Sequence, residues 1–219
     1  VTDFVQSVVR QAADFLPDLA GSAPRGSLEL DGRTIAQADV AAYAGPWDAV
    51  ITPYYRQQLT GDEALVYDAI RYVYDTGAQQ ATLLGGFDLD LVMQMVDFVK
   101  SDWPQFAVSH DGAMRAMALR DGSIQLTPSP LDLEMAVRNA QALEAAQRVV
   151  DGIPEEIVGE TAVARYLYET LTRQIAYQDS QGLEMDQSPT LWTAYGALVE
   201  GQAVCDGVAA AVQLVFSLA

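Results

Sequence analysis

This 219-residue chain holds one cysteine, Cys205, and one histidine, His110. A single thiol excludes an internal disulfide and any metal site built from several cysteines, and it leaves the redox compartment open. Basic residues are scarce too: Lys and Arg number 12 against 30 Asp and Glu, for a formal charge of -18. Such acidity repels phosphate backbones and argues against a nucleic-acid partner. The acidic residues are scattered, as on a solvated surface, rather than gathered in a run. No apolar run is long enough to cross a bilayer, since the most apolar stretch, residues 208–219, is short and broken by Gln213. The opening VTDFVQSVV has no basic segment ahead of an apolar one, so no secretory signal is expected. Val rather than Met at position 1 leads us to expect a processed or trimmed N-terminus.

What is present reads as an ordinary folded chain of one or two domains, with 50% hydrophobic and 19% charged residues. Apolar residues at helical spacing predict helices over 4–16, 60–77 and 88–102, the second opened by a capping box of Thr60 and Glu63. Its apolar face comprises Leu65, Val66, Ala69, Ile70 and Val73; that of the third comprises Leu91, Val92, Met95, Val96 and Val99. GSLELDGRTI alternates as a short strand or hairpin. From Gln105 to Pro128 the period switches to two, predicting three short strands joined by turns at Asp111-Gly112 and Asp121-Gly122. Beyond Pro130 the spacing predicts a long helix closed by Asp151-Gly152 and another from about Glu160 to Tyr177. After a polar loop come a short helix over TLWTAYGALVEGQ and a final one over Cys205–Ala219. The fold class is α+β, with a change of character near 152–160 that divides a front region, 1–152, from a C-terminal region, 153–219.

Cys205 stands where the last helix begins, behind EGQAV and ahead of Asp206 and Gly207. A thiol in a first turn feels the positive end of the helix dipole, which favours thiolate. The unpaired N–H groups there suit a developing oxyanion. Gly207, without a side chain, lets a substrate or a neighbouring strand come close. Against this stands the common role of a free cysteine as a small buried hydrophobe. The helix that follows is apolar all round except at Gln213 and Ser217, so protein is expected to surround it.

The stretch TAYGALVEGQAVCDGVAAAVQLV closely resembles the catalytic-cysteine motif of bacterial transglutaminase-like, papain-like proteins. The matching residues are Thr193, Ala194, Tyr195, Gly196, Leu198, Gly201, Val204, Cys205, Gly207 and Ala209. VARYLYETLTRQIAYQD is similar to the helix that precedes the motif in that family, so the match covers about residues 160–219; YYRQQLTGDEALVYDAI and VKSDWPQFAV more loosely resemble its accessory N-terminal region. The resemblance implies a helix-rich accessory region with a short antiparallel hairpin or sheet over 1–152. The opening half of a transglutaminase-like domain follows over 153–219. It implies acyl transfer from a protein or peptide amide through a thioester on Cys205, whether as peptidase, deamidase or cross-linking enzyme, in a bacterial envelope or extracellular setting. The Cys205 backbone N–H is an expected oxyanion donor, and Trp192, Tyr195, Asp206 and Gly207 are the expected substrate-side residues. Val208 departs from the family's usual tyrosine, and Val212 stands where a bulkier residue is common.

In that family a histidine and an aspartate follow the cysteine, whereas here His110 precedes it and Asp111 stands beside it in a turn. We therefore expect either a longer polypeptide or another chain covering the Cys205 helix, with self-association as one form of that cover. The 219 residues alone are expected to be inactive; the alternative is a non-catalytic scaffold or binding module of the same fold. No cofactor is implied. The acidic pairs Asp88/Asp90 and Glu155/Glu156 lack the ligand count and glycine placement of a calcium loop and suit helix starts instead. Met93, Met95, Tyr67, Tyr72 and Tyr74 read as core or flank, and Trp192 as core or cleft lining.

Overall fold

A computed structural model describes residues 24–45, 47–106, 114–128, 133–179 and 189–219. The predicted helix over 4–16, His110 and the Asp111-Gly112 turn lie outside them. The observed class is α+β: six helices and a five-stranded sheet among the described residues, with a separate two-stranded pair.

The predicted hairpin is there as β1 (Leu28–Leu30) and β2 (Arg33–Ile35). Its two-residue loop holds Asp31 at φ 49 and Gly32 at φ 72, the left-handed pair that matches strand twist. A short α1 (Gln37–Ala41) follows, then α2 (Gly61–Thr76), β3 (Ala81–Leu83) and α3 (Leu89–Asp102). The hairpin of β4 (Arg115–Ala118) and β5 (Ile124–Thr127) turns through Asp121-Gly122, as the sequence predicts. All pairings in the sheet are antiparallel, in the order β2-β1-β3-β5-β4.

Register sorts the two faces. Thr34, Glu29, Thr82, Gln125 and Met117 form one row across the sheet, polar except at its end. The adjacent row carries Leu28, Leu83 and Ile124, all buried in one cluster with Val66, Ile70 and Val73 of α2 and Val92, Met95, Val96 and Val99 of α3. The helices therefore cover one face and leave the other to water, the usual economy of an antiparallel sheet.

Several expectations need correction. Gln105 and Phe106, read as the start of a strand, sit in a 3-10 turn, Pro104–Phe106, and the rest of that strand lies outside the described residues. Strand β3, in the middle of the sheet, was not expected. Thr60 takes the N-cap position of α2 in extended conformation but its side chain makes no capping bond, so no capping box forms. A true side-chain cap occurs at α3, where Asp88 Oδ1 accepts from the N–H groups of Asp90 (2.8 Å) and Leu91 (3.3 Å).

A buried polar network ties this core together. The Asp102 carboxylate, 1% exposed, accepts from the backbone N–H of Tyr55 (2.9 Å) and Arg56 (3.0 Å) and from Tyr67 Oη (2.6 Å). Tyr67 Oη accepts in turn from Trp103 Nε1 at 2.8 Å. Burial, then the neighbouring Asp102 carboxylate, pushes the Tyr67 phenol far above its ordinary range, so it stays a donor.

The second core draws on α4 (Leu133–Asp151), α5 (Glu160–Gln174) and α6 (Cys205–Leu218). Ala142, Ala146, Leu167, Leu171, Ala210, Leu214 and Val215 are its buried centre. It thus takes in α4, which precedes residue 152. Helix α5 ends at Gln174 rather than near Tyr177, because Ala176–Tyr177 pairs as a parallel strand, β6, with β7 (Gln202–Ala203). Gln213, the polar break in the apolar run, donates from Nε2 to the Asp102 carbonyl at 2.9 Å and so joins α6 to the first core.

Candidate active site

Residues 189–205 coil into a tight approach to α6. The stretch read as one short helix is instead a 3-10 turn, Pro189–Trp192, followed by a single π turn, Gly196–Glu200. The π turn closes on an i to i+5 bond from the Gly201 N–H to the Gly196 carbonyl. Thr193 Oγ1 joins the two turns: it donates to the Thr190 carbonyl at 2.7 Å and accepts from the Gly196 N–H at 3.3 Å. Val204 N–H then donates to the Leu191 carbonyl at 3.0 Å, and α6 begins.

Two glycines make this coil possible. A Cβ on Gly196 would lie 2.1 Å from the Thr190 carbonyl oxygen, and one on Gly207 would lie 2.3 Å from the Leu191 oxygen and 3.0 Å from that of Thr193. Real Cβ atoms never come so close to backbone, so both positions exclude any side chain. The close approach expected at Gly207 is therefore made by the chain's own carbonyls. Gly207 itself is buried.

Cys205 is free and exposed in the first turn of α6, a helix of 14 residues. Its sulfur donates to Asp206 Oδ1 at 3.6 Å. The first-turn N–H groups have no carbonyl one turn back inside the helix and remain available to an oxyanion. Asp206 is exposed beside the thiol. Tyr195 is half-buried against the second core, with the Arg138 guanidinium 5.8 Å from its ring centre. Trp192 is 7% exposed and clusters with Leu191 and Val204. Of the five residues singled out, Cys205 and Asp206 meet at the surface, Tyr195 is partly accessible, and Trp192 and Gly207 are internal.

Among the described residues, the helix carrying Cys205 is not enclosed. Gly207, Ala210, Ala211, Leu214 and Val215 are buried, while Ala209 and Phe216 are exposed and Val208 and Val212 half-buried. The described residues thus cover one face of α6. Among the described residues no group of three or more His, Cys, Asp or Glu side chains forms a metal cluster. No helix among them is long and apolar enough to cross a membrane.

Comparison with protein-family models finds no match to the chain, and comparison with curated proteins finds none. The fold and site therefore define a mixed α+β chain with one accessible thiol at a helix start.

Proposed function

We propose that Cys205 is the nucleophile of a transglutaminase-like acyl transfer acting on protein or peptide amides. The observation that supports this is the exposed thiol in the first turn of α6, seated by glycine-dependent packing of the TAYG segment under the helix. The sulfur attacks the amide carbonyl carbon, a C–S bond forms and the C–N bond breaks. The amine leaves with a proton delivered by a general base turned acid. Water or a second amine then cleaves the thioester, giving hydrolysis, deamidation or cross-linking. First-turn N–H groups hold the oxyanion in each step. On this reading residues 153–219 are the opening half of the catalytic domain, His110, which precedes the motif, is not its base, and the setting is the bacterial envelope or its exterior.

The decisive test separates acylation, which needs the thiol, from turnover, which needs a base as well. An activated ester of an N-blocked glutamine peptide is expected to acylate Cys205 in the folded chain at least ten times faster than in the urea-unfolded chain. The adduct, read by intact mass, is released by hydroxylamine and absent in Cys205→Ser. Asp206→Asn is expected to raise the rate a few-fold, by removing a negative charge beside the sulfur. Equal rates folded and unfolded would sink the nucleophile reading and leave a non-catalytic module of the same fold.

A further inference from the structure

A cavity of about 370 Å³ opens between the second half of α4, the end of α5 and the π turn. The buried Ala145 and Ala197 line it, together with three exposed polar residues, Arg148, Gln174 and Glu200.

Arg148 makes no ion pair among the described residues, as is also true of Arg33, Arg115 and Arg120. Glu200 lines the same cavity without pairing to Arg148, and only its Oε2 is engaged, accepting from Thr190 Oγ1 at 2.6 Å. A guanidinium and a carboxylate thus share one small space, each with bonding capacity left over. A polyanion is repelled by Glu200, and a simple cation by Arg148. A wholly apolar guest satisfies neither charge.

We propose that this cavity binds an aliphatic α-amino acid in its zwitterionic form. The carboxylate takes the planar fork of Arg148, which suits two parallel N–H···O bonds. The ammonium group is held by Glu200, Gln174 adds one neutral amide, and the side chain lies over Ala145 and Ala197. The volume falls at the small end of ligand pockets, which fits a guest of this size. Ala197 and Glu200 lie in the stretch ahead of Cys205, but the proposal makes no use of the thiol.

The test is a titration of the ¹⁵N-labelled chain with L-leucine, followed by amide shifts. Saturable shifts at Ala145, Ala197 and Gly201 are expected in the millimolar range, unchanged in Cys205→Ser. Binding is expected to weaken at least ten-fold for 4-methylpentanoate, which lacks the ammonium group, and for leucinamide, which lacks the carboxylate. Arg148→Gln and Glu200→Gln are expected to do the same; both are surface changes, and the spectrum itself reports that the fold persists. No saturable shift with leucine, equal binding of either analogue, or unchanged affinity in both variants overturns the proposal.

Discussion

Gly207→Ala is the substitution that most directly tests how α6 is seated. Helix propensity alone predicts a gain, since alanine is up to about 1 kcal/mol better than glycine within a helix. The surroundings predict a loss. The new Cβ would meet the Leu191 oxygen at 2.3 Å, the Ala203 Cβ at 2.9 Å and the Thr193 oxygen at 3.0 Å. Two of these three are backbone carbonyls, which cannot swing aside as a flexible side chain does. The Leu191 oxygen is also the acceptor for Val204 N–H at 3.0 Å, so displacing it strains that bond as well. Overpacking of this kind costs about 1–3 kcal/mol, and a compromised hydrogen bond adds about 1 kcal/mol. Against the propensity gain, the net expectation is a loss of about 2 kcal/mol, or about 4–8 °C in midpoint for a chain of this size. Urea and thermal unfolding followed by circular dichroism measure it. Ala209→Gly, at an exposed position two residues on, supplies the propensity term by itself, about 1 kcal/mol of destabilisation. A Gly207→Ala protein as stable as its parent, or more so, would refute the packing argument and with it the reason given for the motif's glycine.

Two further substitutions probe the first core. Tyr67→Phe removes a donor to Asp102 and the acceptor of Trp103 Nε1, leaving buried polar groups short of partners; a loss of about 2–4 kcal/mol is expected in urea unfolding, and a loss below about 0.5 kcal/mol would deny the network any weight. Asp75 is held above the ordinary carboxylate range by burial, a shift that the neighbouring Arg71 opposes. A raised folded pKa means that the folded state keeps its proton longer than the unfolded state as pH rises, so this group's contribution to stability falls on going from pH 4 to pH 7. The stability of Asp75→Asn relative to the parent should therefore increase over that interval, and an offset that is flat or declines with pH contradicts the assignment.

Much of the fold can be read from periodicity because its helices are one-sided. The stripes of α2 and α3 are buried where their spacing puts them except at Leu65 and Leu91, which are half-buried, and Gly77, at φ 65, ends α2 as expected. What periodicity could not supply depends on partners distant in sequence. Strand β3 is three residues long and flanked by strands from both ends of the first core, so only the pairing of Leu28 with Leu83 and of Leu83 with Ile124 defines it. The last turn expected of α5 is lost to pairing of β6 with β7, again a long-range event. The π turn follows from Gly196 pressing on the Thr190 carbonyl, a contact no helical wheel records. At the candidate site, the position of Cys205 at a helix start was legible because Gly201 and the apolar run frame it. The inward placement of Gly207 was not, and that of Trp192 was one of two roles left open, since a motif fixes which residues recur and leaves open which of them face the chain itself. Arg148, Gln174 and Glu200 escaped notice for a related reason: they come from three separate elements and share no spacing.

The polar break in the final helix shows how the two cores are coupled. An apolar residue at position 213 would extend the buried face of α6, yet the chain places a glutamine there, and its amide reaches the main-chain carbonyl of Asp102. That carbonyl belongs to the residue whose carboxylate gathers Tyr55, Arg56 and Tyr67. Asn139 of α4 makes the parallel connection, donating to the Gln105 carbonyl at 3.1 Å. Both bonds end on the short segment 102–105 where α3 gives way to its 3-10 turn, so one stretch of backbone carries both of these polar links, one to α4 and one to the helix that bears the thiol. Hydrogen bonds to main-chain carbonyls fix direction as well as distance, which apolar contacts alone do not. The orientation of α6 is consequently set from two sides, by Gln213 within the helix and by the glycine-packed coil at its start, and Cys205 is placed by both.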